Sequence, residues 1–336
     1  MSLTDGVRDP SGDDQPATTS PGEPLRELGR TGLRVTRLCI GTSSLGSASY
    51  TYGYPVSTDV GEATVEAALA GPYNFIDTSN AYGNGASETC IGNVLRRRGG
   101  LPDGIVLATK VDADPVTRDF SGERVRRSVE ESLTRLGLDF VPLMHLHDPE
   151  FFLTAAEALA PGGPVEALVA LRDEGVIGHI GLAMGDVPMA RELVRSGVFE
   201  VVLNHNRYTL LDRSAEPLIE QTLASGAAYL NAAPYGGGIL AKGLSQQHKY
   251  AYRPAPPAIV DAVVAMQRVC DEAGVPLAAA ALQFSLRDPR VTSTVVGVSE
   301  PGRIAETTAL ATHPIPDDVW PALEALLPAR EHWLDP

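Results

Sequence analysis

Three observations on the sequence predict an α/β fold, a (β/α)8 TIM barrel with an N-terminal β-hairpin and a C-terminal extension. The chain has 336 residues, a length that suits one α/β barrel or two ordinary domains. Short β-rich runs alternate with amphipathic helical stretches eight times without a break in composition, which favours a parallel sheet with helical crossovers. The fingerprint G-x-G-x-x-G does not follow the first barrel strand, where the chain reads GTSSLGSAS, and this counts against a doubly wound sheet.

The N-terminal part divides into a tail and a hairpin. Residues 1–23 contain almost no large apolar side chains and are rich in Pro, Gly, Ser, Thr and Asp, so we expect a disordered tail there. From Leu25 the pattern ELGRTGLRVTRL alternates around a Gly-containing turn and predicts a short hairpin. We expect residues 24–336 to form a single catalytic barrel domain.

Eight units, each a strand followed by a helix, make up the predicted barrel. The first four are RLCIG with a helix over 58–70, YNFID with 88–97, IVLATK with 122–136, and VPLMHLH with 165–173. The last four are VIGHIGLA with 188–195, EVVLNH with 216–225, AAYLNA with 259–273, and VTSTVVG with 303–309. In such a barrel, catalytic groups stand at the carboxyl ends of the strands and in the loops that follow.

Composition restricts the class of function. The formal net charge of -15 and a pI near 4.9 argue against general affinity for nucleic acid or anionic membranes. No apolar run approaches the roughly 20 residues that span a bilayer, and the N-terminus has no signal-like pattern, so we expect a cytoplasmic protein. Cys39, Cys90 and Cys270 have no metal-like spacing and are expected to be buried free thiols. The oligomeric state stays open.

Four side chains at the ends of successive predicted strands could form an acid/base site. Asp77 ends YNFID, Tyr82 follows five residues later, Lys110 ends IVLATK and His147 ends VPLMHLH. A free phenol has a pKa of roughly 10, so it exchanges protons near neutrality only if its phenolate is stabilised. An ammonium stabilises the phenolate, a carboxylate holds the ammonium, and an imidazole can orient a carbonyl oxygen. The set predicts interconversion of a carbonyl and an alcohol without a metal.

These motifs resemble the aldo-keto reductase superfamily from about residue 25 to residue 309. The family's D-x-x-x-x-Y segment matches DTSNAY, and its strand-3 lysine matches Lys110. The predicted strand VPLMHLH offers two histidines, and counting from the preceding LGLD selects His147 over His145. The resemblance implies hydride transfer between NADP or NAD and a small carbonyl or alcohol substrate, with Tyr82 as general acid/base. The sequence HDP is similar to a subgroup that oxidises sugars, such as D-threo-aldose and fucose dehydrogenases, or pyridoxal.

The same resemblance implies where the cofactor binds. Arg303 matches the position that commonly contacts the 2'-phosphate or stacks on adenine, and Glu306 matches the one that contacts the adenine amino group. Gly297 stands where many NADP-preferring members carry a lysine, which leaves the choice between NAD and NADP open. Ala183 and Met184 replace a Ser-Asn pair that binds the nicotinamide carboxamide in many members. The positions assigned to cofactor binding are Gly41, Thr42, Tyr235, Gly297, Val298, Arg303 and Glu306.

Two alternatives belong to other classes of function. His145 and His147 are two residues apart on one strand and therefore point to the same face, a geometry that metal-dependent barrel hydrolases use. The family match also allows a non-catalytic subunit that senses the redox state of a nucleotide. Binding of a nicotinamide nucleotide distinguishes the oxidoreductase from the metal-dependent hydrolase. Turnover of a substrate distinguishes the oxidoreductase from the nucleotide-sensing subunit.

Overall fold

The computed structural model describes residues 24–46, 53–244 and 247–336, and the predicted tail over residues 1–23 lies outside them. Strand β1 (Arg26–Glu27) pairs antiparallel with β2 (Arg34–Val35), which confirms the predicted hairpin. The side chains of Leu28 and Val35 are fully buried and pack with the apolar side chains inside the barrel. The hairpin therefore covers one end of the barrel. The assignment of residues 24–336 to a single domain stays a prediction.

Eight parallel strands close into a barrel, as the sequence predicts. Each strand pairs with its neighbours in chain order, and the last strand pairs with both the first and the seventh. The barrel strands are β3 (Leu38–Gly41), β4 (Phe75–Asp77), β5 (Val106–Val111), β6 (Val141–His147), β7 (Ile177–Met184), β8 (Val201–His205), β9 (Ala228–Ala232) and β12 (Ser293–Gly297).

Helices surround the barrel at the predicted positions. A small hairpin of β10 (Lys249–Tyr250) and β11 (Arg253–Pro254) lies in the connection after β9. The α-helices are α1 (Thr58–Leu69), α2 (Ala86–Arg98), α3 (Gly122–Leu136), α4 (Ala155–Leu159), α5 (Pro164–Asp173), α6 (Val187–Val194), α7 (Glu216–Ala224), α8 (Ile239–Lys242), α9 (Pro257–Glu272), α10 (Leu277–Arg287), α11 (Gly302–Thr312) and α12 (Val319–Glu324).

The seventh unit differs from the prediction, because two long helices stand where the sequence pattern predicts one. The predicted helix is α9, and α10, which the sequence pattern does not predict, contacts the barrel strands directly. The Oγ of Ser285 on α10 accepts a hydrogen bond from Asn231 of β9 at 2.8 Å and lies 2.7 Å from the Oγ1 of Thr294 on β12. Most residues of the segment LAAAALQFSLR are buried. The sequence pattern assigns one helix to each strand, and α9 already fills that place.

Strand alternation produces two apolar layers. Cys39, Phe75 and Leu143 point into the barrel, while Ile40 and Met144 belong to the larger core between the strands and the helices. At the carboxyl ends of β4, β5 and β6 the inward positions change from apolar to polar, with Asp77, Lys110 and His147. This change places the candidate site at one mouth of the barrel.

Two further findings concern the described residues. Among them, no helix has both the length and the apolar character needed to cross a bilayer. Cys39, Cys90 and Cys270 are buried and free, which confirms that prediction.

Gly92 marks the contact between α2 and α3. A Cβ at this position would lie 1.8 Å from the carbonyl oxygen of Arg135 and 2.9 Å from the Cα of Leu136. We expect Gly92→Ala to lower the free energy of unfolding by about 1–3 kcal/mol or more, because backbone atoms have to move apart. In Gly302→Ala the added Cβ meets no atom within 4 Å, so stability should stay equal or rise slightly. Urea unfolding of both variants checks this, and equal stability of the two would contradict it.

Candidate active site

The ammonium of Lys110 is the centre of the site. Lys110 is the last inward-facing residue of β5, and its side chain is 1% exposed. Its Nζ donates to the Oδ1 of Asp77 at 2.6 Å, to the carbonyl oxygen of Thr78 at 2.6 Å and to the Oη of Tyr82 at 3.1 Å. Three acceptors match the three N–H groups of the ammonium, so this buried cation has the hydrogen bonds that burial requires.

The loop after β4 carries Tyr82 across to Lys110. The backbone N–H of Thr78 donates to Ala108 and that of Asn80 donates to Lys110, so the loop continues along the end of β5. The side-chain amide of Asn80 donates to the carbonyl oxygen of Ser128 on α3 at 3.1 Å. A short 3-10 turn over Tyr82–Gly85 follows and leaves Tyr82 half-buried at the mouth.

Burial and charge act in opposite directions on Asp77. Burial raises the pKa of this carboxyl above its ordinary value, and the attraction of Lys110 offsets part of the increase. Burial, together with the charge of Asp77, also raises the pKa of the Cys39 thiol well above its usual value. The interior beneath the ion pair is therefore apolar and uncharged.

His147 carries a carboxylate partner that the sequence motifs do not identify. Its Nδ1 lies 2.6 Å from the Oδ1 of Asp112, and its ring meets the ring of Tyr82 edge-on with 5.7 Å between centroids. The Oδ2 of Asp148 lies 3.8 Å from its Nε2. Burial lowers the pKa of His147, but the two carboxylates outweigh burial and raise it above its ordinary value.

Asp148 has a low pKa for the complementary reason. Burial raises the pKa of Asp148, but His147 and His205 outweigh burial and lower it to about 2. The Nε2 of His205, at the end of β8, lies 3.6 Å from the Oδ1 of Asp148. Asp148 is therefore a carboxylate that stands between two imidazoles at neutral pH.

His145 lies one layer deeper than His147. It is fully buried, and it pairs in register with Lys110 on one side and with Gly181 on the other. A Cβ at Gly181 would lie 2.1 Å from its Nδ1, so this ring occupies space that only glycine leaves free. Burial and the charges of Lys110 and His147 hold the pKa of His145 well below its ordinary value.

The surroundings of the two histidines favour the acid/base interpretation over the metal hydrolase. A cation beside His145 opposes binding of a second cation, and the Nδ1 of His147 is occupied by Asp112. Among the described residues, no group of three His, Cys, Asp or Glu side chains has the geometry to hold a metal ion.

The opposite side of the mouth has almost no side chains. Gly41, Ala232 and Gly297 end three adjacent strands, and each takes an inward position two residues beyond an apolar one. A Cβ at Gly297 would meet only the Oγ of Ser43, at 3.9 Å. The rim is therefore open at Gly297, whereas a Cβ at Gly41 would lie 3.0 Å from the Cγ1 of Val295.

The other predicted cofactor residues fall into two groups. Arg303 and Glu306 lie on the first turns of α11 and form an ion pair of 2.7 Å with each other. Tyr235 is half-buried beside them, and burial raises its pKa, so its phenol stays protonated. By contrast, Thr42 and Val298 are almost completely buried. The cofactor-binding roles of these five residues, and those of Gly41 and Gly297, stay predictions.

The buried residues at the rim also have structural tasks. The hydroxyl of Thr42 donates to the carbonyl oxygen of Asp77 at 2.9 Å and is 2.8 Å from the Oγ of Ser87, so it fixes the end of β4. Ala183 and Met184, which the sequence resemblance places at the position of a Ser-Asn pair, are buried. Their side chains cannot bind a carboxamide as Ser and Asn do.

Sequence reasoning missed Asp112 and Ser79, which contact His147 from two loops. A signal for Asp112 was present, because it follows Lys110 by two residues and therefore points to the same side of the extended chain. No signal of this kind marks Ser79. It reaches His147 only because its loop crosses the end of β5.

An eight-stranded parallel barrel with charged side chains at its carboxyl-end mouth defines a (β/α)8 enzyme. The model of the Aldo/keto reductase family matches residues 37–328. The chain therefore belongs to the aldo/keto reductase family and is an oxidoreductase.

Relatives with assigned activities cover most of the chain. L-galactose dehydrogenase of Arabidopsis thaliana is 33% identical over 86% of this chain and 88% of its own length. Pyridoxal 4-dehydrogenase of Microbacterium luteolum is 32% identical over 89% and 96%. The structure of an aldo-keto reductase from Bacillus halodurans in its holo form has a TM-score of 0.72, at 21% identity, over 91% of this chain and 97% of that chain. The predicted resemblance to sugar- and pyridoxal-oxidising members is confirmed.

The ion pair between Lys110 and Asp77 predicts a pH-dependent loss of stability. In Lys110→Met the carboxyl of Asp77 stays buried without its cation, so its pKa in the folded state rises further. The folded state then binds more protons than the unfolded state above about pH 4, and its stability falls as the pH rises. We expect Lys110→Met to lower the free energy of unfolding by about 3–5 kcal/mol at pH 8 and by less at pH 5.

Urea unfolding from pH 5 to pH 8 measures this loss. The double variant Lys110→Met/Asp77→Asn has no buried charge at these positions and should lack the added pH dependence. A loss of stability that is the same at every pH in the single variant would contradict the prediction.

Proposed function

We propose that this oxidoreductase interconverts a carbonyl and an alcohol on a small polar substrate with NAD(P)(H), and that Tyr82 is its general acid/base. The observation that carries the proposal is the position of the Lys110 ammonium between the carboxylate of Asp77 and the hydroxyl of Tyr82. A cation 3.1 Å from a phenol oxygen stabilises the phenolate, which is the form that accepts a proton from an alcohol.

In the reduction direction, the charge that develops on the substrate oxygen determines the role of each side chain. The nicotinamide, when bound, supplies the hydride. Tyr82 donates its hydroxyl proton to the developing alkoxide, and Lys110 stabilises the phenolate that remains. His147 donates a hydrogen bond from Nε2 to the same oxygen and orients it. In the oxidation direction, the Tyr82 phenolate takes the proton from the alcohol.

The cofactor would lie across the open rim, from Gly41 and Gly297 towards α11. Arg303 is placed to meet a phosphate, because its guanidinium stands near the positive end of the helix dipole. Its ion pair with Glu306 would open or rearrange when the adenosine end binds. The guanidinium of Arg303 favours NADP, because it could bind the 2'-phosphate. Gly297 does not add a second cation for that phosphate.

The substrate would be sugar-like or an intermediate of secondary metabolism. Two observations support a polar substrate: relatives are named L-galactose dehydrogenase and D-threo-aldose 1-dehydrogenase, and Asp148 and His205 stand beside His147 at the mouth. The strongly acidic chain supports a small molecule rather than nucleic acid as partner, and a cytoplasmic location is part of the same proposal.

Titration with NADPH and, separately, with NADH tests the cofactor part. Saturable binding in the micromolar range, the usual order for such cofactors, is the expected result. If Arg303 contacts the 2'-phosphate, Arg303→Ala should weaken NADPH binding about 10- to 100-fold and change NADH binding little. The control variant Arg268→Ala removes one positive charge from α9 and should leave the binding of both nucleotides unchanged. Failure of both nucleotides to bind would overturn the proposal, and binding without turnover on any sugar or aldehyde would favour the nucleotide-sensing subunit.

Tyr82→Phe tests the acid/base part. The variant keeps the aromatic ring and loses the transferable proton, so we expect unchanged cofactor affinity and a fall in kcat of about 10²- to 10⁴-fold. Steady-state kinetics with a reducible sugar or aldehyde, together with the nucleotide titration, measures both quantities. Full activity would remove Tyr82 from the mechanism.

A further inference from the structure

Asp112 is held rigidly at the mouth of the barrel by both its backbone and its side chain. Its backbone N–H donates to the Oγ of Ser128 at 3.1 Å, and its carbonyl oxygen accepts from the Nε of Arg124 at 3.1 Å. Both partners lie on α3, which packs behind β5. A side chain on such a backbone keeps its direction, so its contacts are built into the fold.

The two oxygens of the Asp112 carboxylate have different tasks. The Oδ2 accepts from the Oγ of Ser79 at 2.6 Å and from the backbone N–H of Ala81 at 2.9 Å. These two donors leave Oδ1 directed at the Nδ1 of His147, 2.6 Å away. The Oγ of Ser79 also lies 3.1 Å from the same Nδ1.

We propose that Asp112 is a positioning residue, which holds the proton on Nδ1 of His147, directs Nε2–H to the reacting oxygen and stabilises the cationic form of the imidazole. The inference rests on the proposed function, because it assigns His147 the role of donor to that oxygen. The hydrogen bond from a cationic imidazole to a developing alkoxide is charge-assisted and stronger than one from a neutral ring. Neither the sequence motifs nor the relatives' names assign Asp112 this role.

The charges around His147 favour the cation. The carboxylates of Asp112 and Asp148 face its two ring nitrogens, and Asp77 adds a more distant negative charge. Lys110 opposes protonation, while His145 below is held neutral. The remaining titratable groups are Tyr82, which meets the ring edge-on, and His205, which lies beyond Asp148. Together, the carboxylates outweigh burial and Lys110, and they raise the pKa of His147.

The test uses Asp112→Asn, which keeps the size of the side chain and its capacity to accept a hydrogen bond but removes the charge. The matched control is Asp114→Asn, because Asp114 follows two residues later in the same loop, is half-buried like Asp112 and bonds only to its own turn. Protein labelled with ¹⁵N-histidine gives the ring signals of its seven histidines, and loss of one signal in His147→Gln assigns His147. This titration needs neither substrate nor cofactor.

We expect the midpoint of the His147 titration to fall by about one pH unit or more in Asp112→Asn and to stay unchanged in Asp114→Asn. In wild type, kcat/KM for carbonyl reduction should fall as the pH rises through the raised pKa of His147, because the cation is lost. In Asp112→Asn this fall should begin at a correspondingly lower pH, with cofactor affinity unchanged. Above both midpoints, the activity of the variant should be about tenfold lower than that of wild type for each pH unit that separates the two midpoints.

Two results would overturn the inference: an unchanged His147 midpoint in Asp112→Asn, or a loss of activity that is equal at all pH values, as a purely structural role would give. Ser79→Ala is the second variant if Asp112→Asn does not fold. It frees the carboxylate to rotate while keeping its charge, so the His147 midpoint should fall by less, and an unchanged midpoint would again count against the inference. The ring titration does not depend on carbonyl reduction. If the protein does not reduce carbonyls at all, the titration still shows whether Asp112 stabilises the cationic form of His147 or has only a structural role.

Discussion

The buried ammonium of Lys110 is the constraint on which the arrangement of the site depends. A cation inside a barrel is stable only when every N–H has an acceptor, and here the acceptors come from Asp77, the backbone of Thr78 and Tyr82. Two of these belong to the loop after β4, so this loop must close over the end of β5. The requirement to solvate one charge therefore also brings the phenol to the mouth of the barrel.

Helix α3 fixes this arrangement from behind the strands. Asn80, in the loop that carries Tyr82, donates to Ser128 and to Glu131 of α3, and Glu131 is paired with the largely buried Arg124. Arg124 and Ser128 also bind the backbone of Asp112. One helix thus sets the position of both the tyrosine loop and the segment that contacts His147, which keeps their distance constant.

The two histidines of β6 show how surroundings, rather than residue type, decide charge. His145 and His147 are two residues apart and face the same interior, yet their pKa values are shifted in opposite directions. His145 is enclosed between Lys110 and Gly181 without a carboxylate, whereas His147 reaches the mouth, where Asp112 and Asp148 stand. The first ring fills the interior as a neutral group, and the second is available as a hydrogen-bond donor.

The sequence alone determined the order of strands and helices, because hydrophobic period and turn residues are local properties. It also determined that Asp77, Lys110 and His147 end neighbouring strands, since parallel strands in a barrel bring their carboxyl ends together. It did not reveal α10, because the pattern assigns one helix to each strand and α9 already completes the seventh unit. The tertiary structure decided what depends on contacts between distant segments: the hydrogen bonds of Lys110, the carboxylate beside His147 and the neutral state of His145. Desolvation and charge at these positions arise only when the barrel closes, and no local pattern encodes them.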